Sequence, residues 1–435
     1  MERKASGKAL LPLGIFVGIY LITGMILEMQ GVEMAFYQLP APVAAMIGVL
    51  SAFLLFKGSI DEKLKVFFKG CGNEDVMTMC FIFLFAGAFT TVSSEMGGVD
   101  AVVNLGMSIL SPQFVAAGAF IISAFIGIST GTSVGTVVAV TPITIGLAEV
   151  GGLNPFLVVA ATISGAMFGD NLSMISDTTI AATRTQGVEM KDKFRTNVAI
   201  ALPSAIITVL LLILFGRPEV VPEVKEYTFD IIKVIPYLFV LISSLIGWNV
   251  FLILTGGIIF SGIIGVVSGS FTILQFAGHI YTGFTGMFEI FLLSMIMGGL
   301  ANMVQEEGGI EWVLQKIKKV IKNRKSAELG IATMVSLADV ATANNTVAIL
   351  ITGNVAKELS EEYKIDSKRT ASLLDIFACI FQGLIPYGAQ LLYACAMLPN
   401  LSSPFQVISF CWYPCILGVV AVVSIFLKKE KKSKF

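Results

Sequence analysis

Apolar runs near the length of a spanning helix, about 20 residues, recur along the whole chain and limit its fold more than any other feature. They fall at about 9–27, 40–56 and 75–93, then in a long region at 113–150, and at 155–187 and 194–216. The series continues at 230–247, 249–269, 281–301, 326–359, 370–397 and 405–427. Such runs make the fold class an all-α polytopic membrane protein, with the lipid bilayer as its first partner. Composition agrees, because 55% of the residues are hydrophobic and only 14% charged, against about 25% charged in soluble chains. The net charge of -1 gives no reason to expect a nucleic-acid partner. The start, MERKASGKALLPLG, is basic and then apolar without an evident cleavage site, so the first helix is expected to be retained.

The order of elements is read twice. Residues 1–216 form a first repeat, 217–229 a charged, Pro-containing external linker, 230–427 a second repeat and 428–435 a basic cytoplasmic tail. In each repeat an amphipathic piece (95–110, 305–322) precedes an interrupted apolar region (113–150, 326–359) and then a long run with a polar interruption (155–187, 370–397). SSEMGGVDAVV (93–103) lies over VQEEGGIEWVL (304–314), and GTSVGTVVAVT (131–141) over ATANNTVAILI (341–351), the latter pairing Thr132 with Thr342 and Thr136 with Thr346.

Basic residues set the orientation. They gather before the first run (Arg3, Lys4, Lys8), after the second (Lys57, Lys63, Lys65, Lys69), and after the interrupted run (Arg184, Lys191, Lys193, Arg195). Further groups occur at 316–325, at 357–369 and in the tail, while the alternate loops, 270–283 among them, are nearly free of them. Both termini are therefore expected to be cytoplasmic. The region at 113–150 then begins and ends outside and that at 326–359 inside, so the repeats are inverted. Inverted repeats with discontinuous helices meeting near the midplane are the architecture of alternating access. Each half is expected to bring a polar-tipped helix hairpin against a broken helix, since irregular backbone at membrane depth must be buried or line a polar cavity.

The candidate site centres on FGDNLSMISDTT (168–179). An intramembrane Asp costs roughly 2.5 to 3.5 kcal/mol to insert and is a functional-site hypothesis by default. Here Asp170 and Asp177 are the candidate carboxylates, with Asn171, Ser173, Ser176, Thr178 and the hairpin hydroxyls of Thr132, Ser133 and Thr136 as ligands. Amide, hydroxyl and carbonyl oxygens suit a hard cation such as sodium. A dry carboxyl can hold a proton in its place, and competition for one site is sufficient for antiport. The alternative role for either Asp is to cap the half-helix that follows. In the second half, Thr342, Asn344, Asn345 and Thr346 at the tip, Tyr387 and Gln390 near the break, and the buried acids Asp339 and Asp375 form a candidate substrate or cation site.

GDNLSMISDTT resembles the signature of NhaC-type sodium/proton antiporters, within the ion transporter superfamily of inverted-repeat carriers, and TANNT (342–346) resembles that superfamily's Ser-Asn-Thr type of hairpin tip. The likeness in layout extends over most of the chain, while the motif covers about a dozen residues; where the family commonly has Pro, this chain has Met174. The resemblance implies a sodium-linked secondary transporter, with sodium and protons as the moving ions, sodium at the Asp170/Asp177 site, and a homodimer as a common assembly. Some members move organic or amino acids. A sodium-coupled carrier of a small organic acid, amino acid or amine therefore stands beside sodium/proton exchange as the second reading, favoured by the amides of the second tip.

Other chemistry finds little support. There is no GxxxxGK[ST], no nucleophile elbow and no zinc-ligand cluster, so no enzyme activity and no cofactor are expected. Six Cys sit singly and read as packing residues. Glu289 is a candidate proton relay or helix-helix hydrogen bond, and His279 is placed in an external loop. A channel or purely structural role is disfavoured, because broken-helix repeats serve alternating access.

Overall fold

The computed structural model describes residues 5–32, 35–174, 176–218, 228–246 and 248–427, and every regular element within them is helical. Eight helices among the described residues are long and apolar enough to cross a membrane by length and composition. Arg3, Lys4, most of the expected linker 217–229 and the whole tail 428–435 lie outside the described residues. The outer helices turn apolar side chains outward. Met190–Phe215 exposes Leu202, Ile206, Leu210 and Leu214, whose four-residue spacing makes one face, while Ser204, Thr208 and Leu212 are buried. An exposed apolar face of this kind suits lipid rather than water. The protein is a multi-span α-helical membrane protein.

Two helix hairpins and two broken helices build the interior. The first hairpin joins Val115–Thr130 to Ser133–Val150 and the second joins Arg324–Thr342 to Asn345–Glu362. Each turns through one left-handed residue, Gly131 (φ 69°) or Ala343 (φ 51°), and one capping residue. Thr132 accepts from the Gly135 N–H, and Asn344 from the Val347 N–H, at 3.2 and 3.0 Å. By this geometry Gly131 corresponds to Ala343, Thr132 to Asn344 and Ser133 to Asn345. The register is two residues away from the pairing of Thr132 with Thr342 that the shared letters suggest. The cap, which must satisfy free N–H groups, fixes the correspondence, and its chemistry can be met by Thr or Asn alike.

The first broken helix consists of Pro155–Leu172 and Asp177–Gln186, the second of Ser367–Gln382 and Ala389–Ala396. Small residues let the first hairpin approach the first broken helix closely. A Cβ on Gly169 would stand 2.6 Å from the Gly127 Cα, and one on Gly165 would strike the Phe120 carbonyl. Such backbone approach is how membrane helices pack without a hydrophobic drive between them.

A smaller device also recurs. Glu74–Glu95 and Phe288–Glu306 each give way, through a left-handed glycine (Gly97, φ 81°; Gly308, φ 79°), to the short helices Gly98–Ile109 and Gly309–Lys318. These glycines are the Gly-Gly pairs of the two aligned stretches.

Three expectations are corrected. Residues 270–283, read as a loop, are mostly helix: Ile273–Gly286 begins at a capping box in which Thr272 accepts from the Gln275 N–H and Gln275 accepts from the Thr272 N–H. His279 therefore lies within a helix, its ring 5.2 Å from that of Phe271. The last apolar helix runs over Trp412–Leu427 rather than from 405, and Pro414 sits in its first turn, where the missing N–H costs nothing. Finally, Lys193 and Arg369 are not loop charges. Both are buried, each against a carboxylate: Lys193 against Asp375 at 2.8 Å and Arg369 against Glu328 at 2.9 Å. Arg184, Lys191 and Arg195 remain exposed.

Candidate functional site

The backbone leaves the helix after Leu172. Ser173 is extended (φ −64°, ψ 137°), as is Ser176, and the helix resumes at Asp177. This leaves Asp170 in the last turn before the break, 4% exposed. Its two oxygens accept hydrogen bonds from different elements, Oδ2 from the Ser133 hydroxyl at the first hairpin tip at 2.7 Å and Oδ1 from the Ser176 hydroxyl inside the break. Ser133 in turn accepts from the Gln390 amide of the second broken helix at 2.9 Å, and Gln382 donates to Gln390 at 2.8 Å. Thr178 and Ser176 share a hydrogen bond at 2.8 Å.

Asp170 lines a cavity of about 140 Å³ bounded by both hairpin tips, the first break and one flanking helix. Residues 131–134 form one wall, 343–346 another, and Ser176, Asp177, Thr178, Gln382 and Gln390 much of the rest. Thr78, Met79 and Ile82 of Glu74–Glu95 close it. Candidates from both halves thus meet around one cavity. Asp177 also borders it but is exposed, as the first residue of its half-helix. It does not serve as the cap: Ser176 occupies the N-cap position, and its hydroxyl is given to Asp170. A carboxylate in a first helical turn is favoured by the helix dipole in any case.

A second polar cluster lies behind the first. Asn171 donates its amide to Asp375 Oδ2 at 2.9 Å, and Asn197 donates to the same oxygen at 2.8 Å. The Lys193 ammonium is 2.8 Å from it and also donates to the Asn171 carbonyl at 2.7 Å and to the Thr179 hydroxyl at 2.6 Å. Lys193 and Asp375 both have wholly buried side chains. Sequence reasoning missed Lys193 and Asn197. The available signal was a Lys and an Asn four residues apart at the start of a helix, which also fits an ordinary membrane-end charge.

The remaining candidates are placed as follows. Thr132 and Asn344 border the cavity with their side-chain oxygens engaged as caps. Thr136 donates to the Thr132 carbonyl and Thr342 to that of Ala338, both at 2.8 Å, and neither borders the cavity. Ser173 is buried and donates to the Ile128 carbonyl at 2.8 Å. Asn345 and Thr346 border the cavity, where the buried Asn345 Nδ2 has no hydrogen-bond partner among the described residues. Tyr387 is turned away, its hydroxyl donating to the Val340 carbonyl at 2.7 Å. Asp339 is fully buried in the second hairpin, and neither carboxylate oxygen accepts a hydrogen bond of ordinary geometry from the described residues, the Gln382 backbone lying beside it. Glu289 borders a separate recess of about 280 Å³ with Tyr20, Pro386 and Cys395. All six cysteines are free thiols, and only Cys415 is exposed.

Lipid-facing helices around a small polar cavity, with broken helices supplying its buried carboxyl group, define a membrane transporter. The chain belongs to the Na+/H+ antiporter family, whose model matches residues 8–217 and 224–428. Among characterised proteins it is 25% identical to the Na(+)/H(+) antiporter NhaC of Alkalihalophilus pseudofirmus, over 90% of this chain and 89% of that protein. It is 20% identical to the malate-2H(+)/Na(+)-lactate antiporter of Bacillus subtilis, over 93% of each. The crystal structure of the Alcanivorax borkumensis YdaH transporter aligns with 97% of the chain at a TM-score of 0.42 and 13% identity.

Proposed function

We propose that this protein exchanges sodium for protons across the cytoplasmic membrane by alternating access, with Asp170 as the group that carries either ion. The observation that carries this reading is the setting of Asp170: buried, bonded among the described residues only to hydroxyls of the first tip and the first break, and open to one small cavity. A bare carboxylate in a dry site is costly, so it takes up a proton or a cation. Ser133, Ser176 and Thr178 supply hydroxyl oxygens beside it, the kind of ligand a hard cation needs in place of water. The names of the relatives support the same ions. Asp177, exposed at the rim, would attract the entering cation without being desolvated. If the carrier reorients when Asp170 is filled and not when it is bare, the gradient of one ion drives the other.

The second reading, sodium-coupled movement of a small organic acid or amino acid, is favoured by the amides of Asn345, Gln382 and Gln390 on the same cavity and by the lactate-linked relative. The cavity, about 140 Å³, is below the roughly 300–1,000 Å³ of pockets for drug-sized ligands, so this reading is confined to the smallest organic solutes.

Proteoliposomes containing a pH-sensitive dye separate the two. Wild type is expected to give a sodium-triggered pH change, Asp170→Asn none, and Asp177→Asn a change that needs more sodium. A folded wild type that binds sodium but moves no protons would reject exchange and point to sodium-driven solute uptake.

A further inference from the structure

The ammonium of Lys193 is held as a metal cation would be held. Its three oxygen partners are a carbonyl (Asn171), a hydroxyl (Thr179) and a carboxylate (Asp375), at 2.7, 2.6 and 2.8 Å. Carbonyl, hydroxyl and carboxylate oxygens are also what a hard cation gathers. An ammonium has three protons to donate, and here each has an acceptor. Two further oxygens of the same cluster, Asp375 Oδ1 and Asn197 Oδ1, are nevertheless buried and accept no hydrogen bond of ordinary geometry from the described residues; the Thr178 hydroxyl beside Asp375 is shared with Ser176. These two oxygens are surplus to a lysine, which has no donor left to give them. They would not be surplus to a hard metal ion, which gathers about six oxygens.

We infer that Lys193 is a tethered cation filling what would otherwise be a second sodium position, so that Asp170 alone exchanges its ion and one sodium is carried per cycle. This rests on the exchange reading above and adds its stoichiometry. The charges divide accordingly. Asp375 is neutralised from within the chain by Lys193, whereas the adjoining Asp170 bonds, among the described residues, only to hydroxyls and must be neutralised by cargo. Asn171 connects the two, being next to Asp170 in sequence and bonded to both Lys193 and Asp375. Removing the lysine leaves a buried carboxylate without its partner, a costly state that a sodium ion can relieve.

The test is equilibrium binding of radioactive sodium to the purified full-length chain in detergent, counted per chain at saturation. Wild type is expected to bind one ion, Lys193→Ala two, and Lys193→Ala combined with Asp375→Asn one again. The single variant is also expected to gain more thermal stability from sodium, relative to choline, than wild type does. A count of one in a folded Lys193→Ala, or of two in wild type, overturns the inference. The wild-type count can do so alone if the single variant fails to fold. A wild type that binds no sodium overturns the exchange reading, and this inference with it.

Discussion

Ser133 joins the two broken helices through one hydroxyl, donating to Asp170 and accepting from Gln390. Ser133→Ala removes a hydrogen bond to a carboxyl group, worth about 1.5–3 kcal/mol when the group is charged, and leaves the Gln390 amide without this acceptor. Sodium half-saturation in the proteoliposome assay is therefore expected to rise by about tenfold or more. The maximal rate should be recoverable at high sodium, because the carboxyl itself is intact. An unchanged half-saturation would mean that Ser133 only holds the tip in place. At this scale the sequence was readable where chemistry was out of place. An Asp after a long apolar run invites attention because burial is expensive, and Asp170 carries that signal. Lys193 does not, because a Lys at the start of a membrane helix usually reaches the interface, and only the fold places Asp375 against it.

The hairpins and broken helices were visible as polar interruptions in apolar runs, since Gly, Ser, Thr and Asn have no other reason to cluster there. Their pairing was less visible. The letters shared by the two tips align Thr132 with Thr342, while the backbone aligns Thr132 with Asn344, because a cap is defined by where N–H groups need an acceptor and not by residue type. The helix over Ile273–Gly286 was missed because a run short of basic residues was read as a loop, although Thr272 and Gln275 spell a capping box. The element-scale prediction concerns Gly169, whose Cα lies against Gly127. Gly169→Leu pushes the hairpin away from the broken helix. Overpacking of this kind costs about 1–3 kcal/mol, expected as a lowered melting temperature in detergent together with lost sodium protection. A substitution that preserves both would show that these helices need not touch.

For the molecule as a whole, the direction in which the cavity opens becomes a question of sidedness. Thr78 and Met79 border the cavity and lie in the opening turns of Glu74–Glu95, which follows Ile60–Cys71 with its Lys63, Lys65 and Lys69. By the positive-inside rule that end is expected to face the cytoplasm. In a chain freed of its six cysteines, Asn345→Cys is expected to react with an impermeant maleimide in inside-out vesicles and to be protected in right-side-out ones. The reverse pattern would invert the proposed topology. The cavity also has a consequence for inheritance. Its walls come from the two halves of the chain, so a hybrid gene joining the first half of this protein to the second half of a distant relative unites surfaces that have not drifted together. Such hybrids should lose function more often than point variants do. Growth selections that rescue them should return changes at 133, 345 or 390, on the side of the cavity opposite the original mismatch.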